Sequence, residues 1–306
     1  MNTNLKAHLA ILGANVIYGV NYSIAKDVMP EYILPFGFIF CRVLGALLLF
    51  FAIGSFIREK VDRKDLLKLA VCGFFGVAAN QLMFFYGLNL TNPINAGIIM
   101  TSNPILVLIA SAIILKTRIT ANKIFGITLG IAGALIILLF KKGFAFGSDT
   151  IVGDAFIFLN ALAYGIYLVL VKPLMSKYKP ITVIKWVFTF GFIYVIPFGF
   201  FQANAIEWST FNSEIWAKFL FVIIGTTFLA YLFNIYGLKR LSPSTVSTYI
   251  YLQPVIAAFF AISVGKDSFT WIKLIAAILI FSGVYLVSKS PSRPPQSGGD
   301  YRLKEL

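Results

Sequence analysis

The chain has 306 residues, of which 59% are hydrophobic and 12% charged, with a mean hydropathy of +0.86. Soluble domains carry roughly 45–50% apolar residues, so this composition excludes a soluble fold, and it leaves no room for a separate soluble domain. The formal net charge of +14 would point a soluble protein toward nucleic acid. Here the basic residues sit at the ends of apolar runs, where lipid headgroups account for them, and no nucleic-acid partner is expected.

Taken in chain order, the runs long enough to cross a bilayer, about 20 residues at 1.5 Å each, fall near 7–25, 33–57, 66–89, 93–115 and 121–140. The second half supplies 151–171, 181–201, 215–238, 243–264 and 270–288. The first run follows Lys6 and continues to about Ala25 without a small-residue cleavage signature, so it reads as a span and not as a signal peptide. Cys41 and Cys72 both lie inside apolar runs and read as small buried hydrophobes. The Pro-, Ser- and Gly-rich stretch 290–306 cannot bury enough apolar surface to fold and is expected to be a disordered tail.

With the N-terminus inside, nineteen of the basic residues fall on the inner side and six on the outer, with Arg42 within a span. The positive-inside rule therefore predicts both termini cytoplasmic, in the plasma (inner) membrane.

The chain is a duplication. Tyr86-Gly87-Leu88, Pro93 and Pro104 recur as Tyr236-Gly237-Leu238, Pro243 and Pro254, each displaced by 150, and Lys123 and Gly133 map onto Lys273 and Gly283. Nearer the start, Tyr18-Gly19 and Lys26 map onto Tyr164-Gly165 and Lys172 at a displacement of 146. An odd number of spans per half makes the second copy enter from the opposite side. The expected fold is therefore an all-α integral membrane protein of ten transmembrane helices, arranged as two inverted five-helix repeats over 1–140 and 141–289. Inverted repeats suit secondary transporters, because two halves related by an in-plane axis can exchange inward-open and outward-open shapes.

Two five-helix halves, Pro35 followed seven residues later by Arg42, and the paired Pro93/Pro104 and Pro243/Pro254 helices resemble the EamA branch of the drug/metabolite transporter (DMT) superfamily, over about residues 7–288. The resemblance implies the ten-helix fold of that superfamily and a role in metabolite export or exchange. It breaks after the fourth and ninth spans, where the family often has Gly-Glu and this chain has Lys116-Thr117-Arg118 and Gly265-Lys266-Asp267. Of the acidic residues expected there, only Asp267 remains.

Pro104 and Pro254 sit mid-span, where each removes a backbone donor and frees the carbonyl of Met100 or Ile250. Breaks at matching positions of both halves point to a central binding site. Pro93 and Pro243 read instead as first-turn prolines behind the caps Asn92 and Ser242. Polar residues inside spans must face the bundle interior. They are Asn80 and Gln81, with Phe84 one turn on, displaced by 150 from Ala230, Tyr231 and Asn234. Tyr18 and Tyr164 are repeat mates, with Tyr22 and Tyr167 on nearly the same faces, and Thr245, Tyr249 and Gln253 form a stripe at intervals of four.

A lining of Tyr, Asn and Gln suits a small neutral or zwitterionic, amino-acid-like solute. Arg42, some nine residues into its span, would hold a helix carbonyl end or a substrate carboxylate. Three rivals remain: a nucleotide-sugar or other anionic-metabolite exchanger of the same fold, a pore or receptor, and an intramembrane enzyme. The first should want several cavity cations, where only Arg42 is buried. No metal site, cofactor or catalytic constellation can be assembled around the single histidine, His8, so enzyme activity is not expected. Ten helices can enclose a cavity without a second subunit, which leaves oligomeric state open.

Overall fold

Polar load, as much as hydropathy, explains how the helices are distributed in the computed structural model, which describes residues 3–57, 59–139, 150–263 and 270–289. Within these, the side chains of Thr3, Tyr22, Ser23, Lys26, Pro93 and Ala261 are not described. The expected tail, and the Gly265-Lys266-Asp267 segment, lie outside the described residues.

Ten long helices follow one another. The first five are α1 (Thr3–Val28), α2 (Pro35–Gly54), α3 (Arg63–Leu90), α4 in two pieces (Pro93–Met100 and Asn103–Ile114) and α5 (Ala121–Leu139). The second five are α6 (Ile151–Lys177), α7 (Pro180–Asn204), α8 (Ser213–Arg240), α9 (Pro243–Thr248, a 3₁₀ turn at Tyr249–Tyr251, then Leu252–Ser263) and α10 (Trp271–Lys289). Eight of them are long and apolar enough to cross a membrane. The other two, α1 and α9, carry buried polar residues: Asn15 and Asn21 on α1, and Ser244, Thr245, Ser247, Thr248 and Gln253 on α9. Such residues are tolerated at membrane depth only where the bundle satisfies them.

The packing repeats the duplication. Helix α5 pairs with α10 and α2 with α7, while α3 lies on α6 as α8 lies on α1, and α4 on α6 as α9 on α1. Replacing each helix by the one five places later or earlier returns the same set of pairs. The α5–α10 crossing shows the axis most directly. A Cβ added at Gly126 would come within 2.8 Å of the Gly283 carbonyl, and one at Gly133 within 2.6 Å of the Ala276 carbonyl. These two contacts exchange under a displacement of 150, so the pseudo-two-fold axis runs between them. Small residues let the backbones meet here, as membrane helices without a hydrophobic drive between them require.

Local devices fit the same pattern. Asn92 accepts from the Asn95 amide and Ser242 from the Thr245 amide, with Pro93 and Pro243 in the first turn. Both α3 and α8 contain a π-helical stretch, Phe74–Ala79 and Phe221–Leu229, each ending one residue before the Asn80-Gln81 or Ala230-Tyr231 step. At the far end of α8, Lys172 Nζ donates to the Leu238 and Leu241 carbonyls at 2.6 and 2.8 Å, so a cation from α6 closes a helix C-terminus whose dipole favours it.

Candidate functional site

The polar in-span residues converge on a cavity of about 90 Å³ at the centre of the bundle. That is space for several waters, at roughly 10–15 Å³ each. Its wall takes Asn15, Tyr18 and Asn21 from α1, Arg42 from α2, and Asn80, Gln81, Phe84 and Phe85 from α3. Met100 comes from α4, Asn160 and Tyr164 from α6, Thr226 and Tyr231 from α8, and Ile250 and Gln253 from α9.

Two hydrogen bonds lie on the axis itself. Gln81 Nε2 donates to Tyr231 Oη at 3.2 Å, and these two positions are exactly each other's repeat mates, 150 residues apart. Tyr251 Oη donates to the Thr101 carbonyl, again across 150 residues, at 3.2 Å. The displacement of 150 makes Gln81 and Tyr231 equivalent positions of the two halves; in the structure they touch. The Tyr231 hydroxyl also lies 3.1 Å from both the Gly76 carbonyl and Asn80 Oδ1, either of which can take its single proton.

The helix breaks act through the same contact. In the first half, α4 is interrupted at Thr101-Ser102, just before buried Pro104, and the Thr101 carbonyl is the one that accepts from Tyr251. In the second half the chain tightens to 3₁₀ geometry at Tyr249–Tyr251, before Pro254. The residues ahead of each proline, Met100 and Ile250, both reach the cavity.

Among the described residues Arg42 is the one charged residue in the lining, and it is 2% exposed. Its Nε donates to Thr227 Oγ1 at 2.8 Å, and Thr227 passes its own proton to the Val222 carbonyl at 2.8 Å within the π-helical stretch of α8. Its Cζ stands 4.3 Å from the centre of the Phe85 ring, a cation–π contact. Nη1 is buried without a hydrogen-bond partner, as are Gln81 Oε1 and Asn160 Oδ1.

The structure thus gathers Tyr18, Asn80, Gln81, Phe84, Tyr164, Tyr231 and Arg42 around one space. Asn234 stands behind the wall and donates to Tyr18 Oη at 3.1 Å, orienting that ring. Tyr167 packs its ring against Gly76, and its hydroxyl is buried without a partner. Tyr249 meets His8 Nδ1 at 2.7 Å and is not part of the wall. The side chain of Tyr22 lies outside the described residues.

Sequence reasoning passed over Asn15, Asn21, Asn160 and Thr226. Each is a polar residue within an apolar run, a signal available in principle. Asn160 Nδ2 donates to the Asn80 carbonyl at 2.7 Å, Gln253 Nε2 to Asn15 Oδ1 at 2.9 Å, and Thr226 Oγ1 to Asn21 Oδ1 at 3.0 Å.

Inverted helix repeats around a central polar cavity define the class of membrane carriers built on internal duplication. Within that class the chain belongs to the EamA-like transporter family, which matches residues 5–139 and again 151–289. It is therefore a membrane transporter and not an enzyme. It is 30% identical over 294 residues to an uncharacterised transporter of Archaeoglobus fulgidus, covering 93% of this chain and 98% of that one. It is 23% identical over 304 residues to YicL, an uncharacterised inner membrane transporter of Salmonella typhimurium, covering 96% and 98%. A crystal structure with 20% sequence identity superposes with a TM-score of 0.73 over 92% of this chain and 96% of the other, which shows the shared fold.

Proposed function

We propose that the chain carries a small neutral or zwitterionic, amino-acid-like metabolite across the plasma (inner) membrane by alternating access, as an exporter or facilitator, with both termini cytoplasmic. The repeats over 1–140 and 141–289 are the units that exchange roles between the two access states. The observation that carries this reading is the position of the cavity on the pseudo-two-fold axis, with Gln81 and Tyr231 meeting there. A solute held on the axis meets equivalent helices whichever side is open.

The lining supports the solute class. Amide and hydroxyl groups with aromatic faces offer hydrogen bonds and π contacts, and among the described residues around the cavity no carboxylate stands ready to take a proton or a metal cation. A nucleotide sugar, with two phosphate charges, would meet one cation among the described lining residues.

The test is counterflow in proteoliposomes containing the purified full chain, with labelled neutral and aromatic amino acids set against sugars and nucleotide sugars, with and without a pH gradient. Saturable exchange of an amino acid, indifferent to the gradient, is the expected result. Selective exchange of nucleotide sugars would overturn the solute class, and absence of counterflow for every solute would overturn the transport reading of the cavity.

A further inference from the structure

We infer that Arg42 is the specificity-determining residue of the cavity and reads a carboxylate: the solute bears one, and guanidinium Nη1 holds it. The inference rests on the transport reading above and sharpens it, because neutral solutes without a carboxylate would then be excluded.

Three observations carry it. First, the guanidinium is fixed in place. Nε is tied to Thr227, itself tied to the α8 backbone, and Cζ lies over the Phe85 ring. Second, the fixed group is incomplete: Nη1 is buried with no acceptor. A buried donor on a permanent cation is costly to leave unpaired, and an oxyanion is its strongest partner. Third, the protein does not provide that partner. Among the described residues the cavity wall holds no Asp or Glu; its other orphaned polar atoms, Gln81 Oε1 and Asn160 Oδ1, are neutral acceptors.

Together these leave one fixed cationic donor and two neutral acceptors without partners. A solute with a carboxylate at one end and hydrogen-bond donors at the other completes all three. The acceptors alone would suit many polar solutes; the guanidinium alone imposes the negative charge. A phosphate monoester would bring about two charges to a single guanidinium, which makes one carboxylate the better match.

The experiment compares acids with their own primary amides, so that shape is held constant while the charge is removed. Thermal unfolding of the purified full chain is followed in detergent and a chloride-free, oxyanion-free buffer with sodium fluoride as the salt. The additives are alanine, leucine, phenylalanine and lactate against alaninamide, leucinamide, phenylalaninamide and lactamide, with sodium chloride as a further arm. The expected result is that at least one acid raises the midpoint, and that its amide needs about tenfold more or higher concentration to do the same. Arg42→Gln should abolish that preference and Arg42→Lys should keep part of it.

Should Arg42→Gln fail to fold, the acid–amide comparison on the unaltered chain still decides. Equal shifts from acid and amide, no shift from any acid, or a chloride effect equal to that of the acids would overturn the proposal. Counterflow that accepts amides as readily as acids would also overturn it while leaving the transport reading intact.

Discussion

The wall built by α3 and α6 and the wall built by α8 and α1 use equivalent helices but are held together differently. Where backbones meet, the two agree. A Cβ at Gly87 would stand 2.8 Å from the Gly153 carbonyl, and its mate Gly237 would present one 3.2 Å from the carbonyl of Ala7. Where side chains meet, they have diverged. Gly76 receives the ring of Tyr167 on one wall, and the equivalent pair on the other is Thr226 hydrogen-bonded to Asn21. Likewise Asn234 donates to Tyr18 on one wall, while Phe84 and Tyr164 occupy those places on the other. Duplication preserved the close approach of helices and let the polar contacts around the cavity change.

The largest effect should come from the shared part. Gly133→Leu forces a side chain against the Ala276 backbone and should cost about 3 kcal/mol or more, read as loss of the monodisperse peak in fluorescence-detected size exclusion. Next is a test of the divergent part. Gly76→Thr alone should cost about 2 kcal/mol by colliding with Tyr167, whereas Gly76→Thr with Tyr167→Asn transplants the other wall's pair and should recover about 1 kcal/mol. A double mutant no better than the sum of its singles would show that the two walls are not interchangeable.

A smaller change is expected on the axis. Tyr231→Phe should lower stability by about 1 kcal/mol, because Gln81 Nε2 loses its acceptor, and should slow counterflow more than Tyr18→Phe, which costs only the Asn234 bond. The least should follow from the ion pairs outside the cavity. Lys177 bridges Asp62 and Asp65 where the end of α6 meets the start of α3, and Lys218 bridges Asp27 and Glu214 where α8 starts beside the end of α1. Lys218→Gln should leave the unfolding midpoint within about 2 °C, as expected of a solvent-screened pair, and Lys177→Gln should lower it somewhat more, because Asp65 is buried and keeps only Lys68 and Tyr178 as partners.

Hydropathy and the repeat made the helices, their grouping into two related halves and the inward position of residues 80, 81 and 231 legible, since burial of polar residues in lipid leaves few options. The displacement of 150 even contained the axis, because a residue and its own mate can touch only there. What the sequence concealed has a common physical origin. The π-helical stretches of α3 and α8 have no local propensity signature, yet they set the rotation of everything after Phe74 and Phe221. Asn160 was masked by its apolar neighbours, and its role depends on meeting the Asn80 carbonyl from another helix. Tyr249 was misleading in the opposite direction: it keeps the stripe spacing, but the 3₁₀ turn in which it lies sends its hydroxyl to His8.

One feature of the first half has no echo in the second. Residues 146 and 150 places beyond Arg42 are Phe188 and Phe192. The axis that superposes the backbones therefore does not superpose the charge, and in the proposed alternating-access cycle the two access states, related in shape by a rotation, would differ in free energy. An uncoupled carrier of this kind still brings its solute to the same equilibrium from either side. Its kinetics, however, are lopsided: half-saturating concentrations measured from the two faces of the membrane should differ, with maximal rates differing in proportion. Under that proposal, the position of one guanidinium would give a duplicated protein a preferred side to wait on.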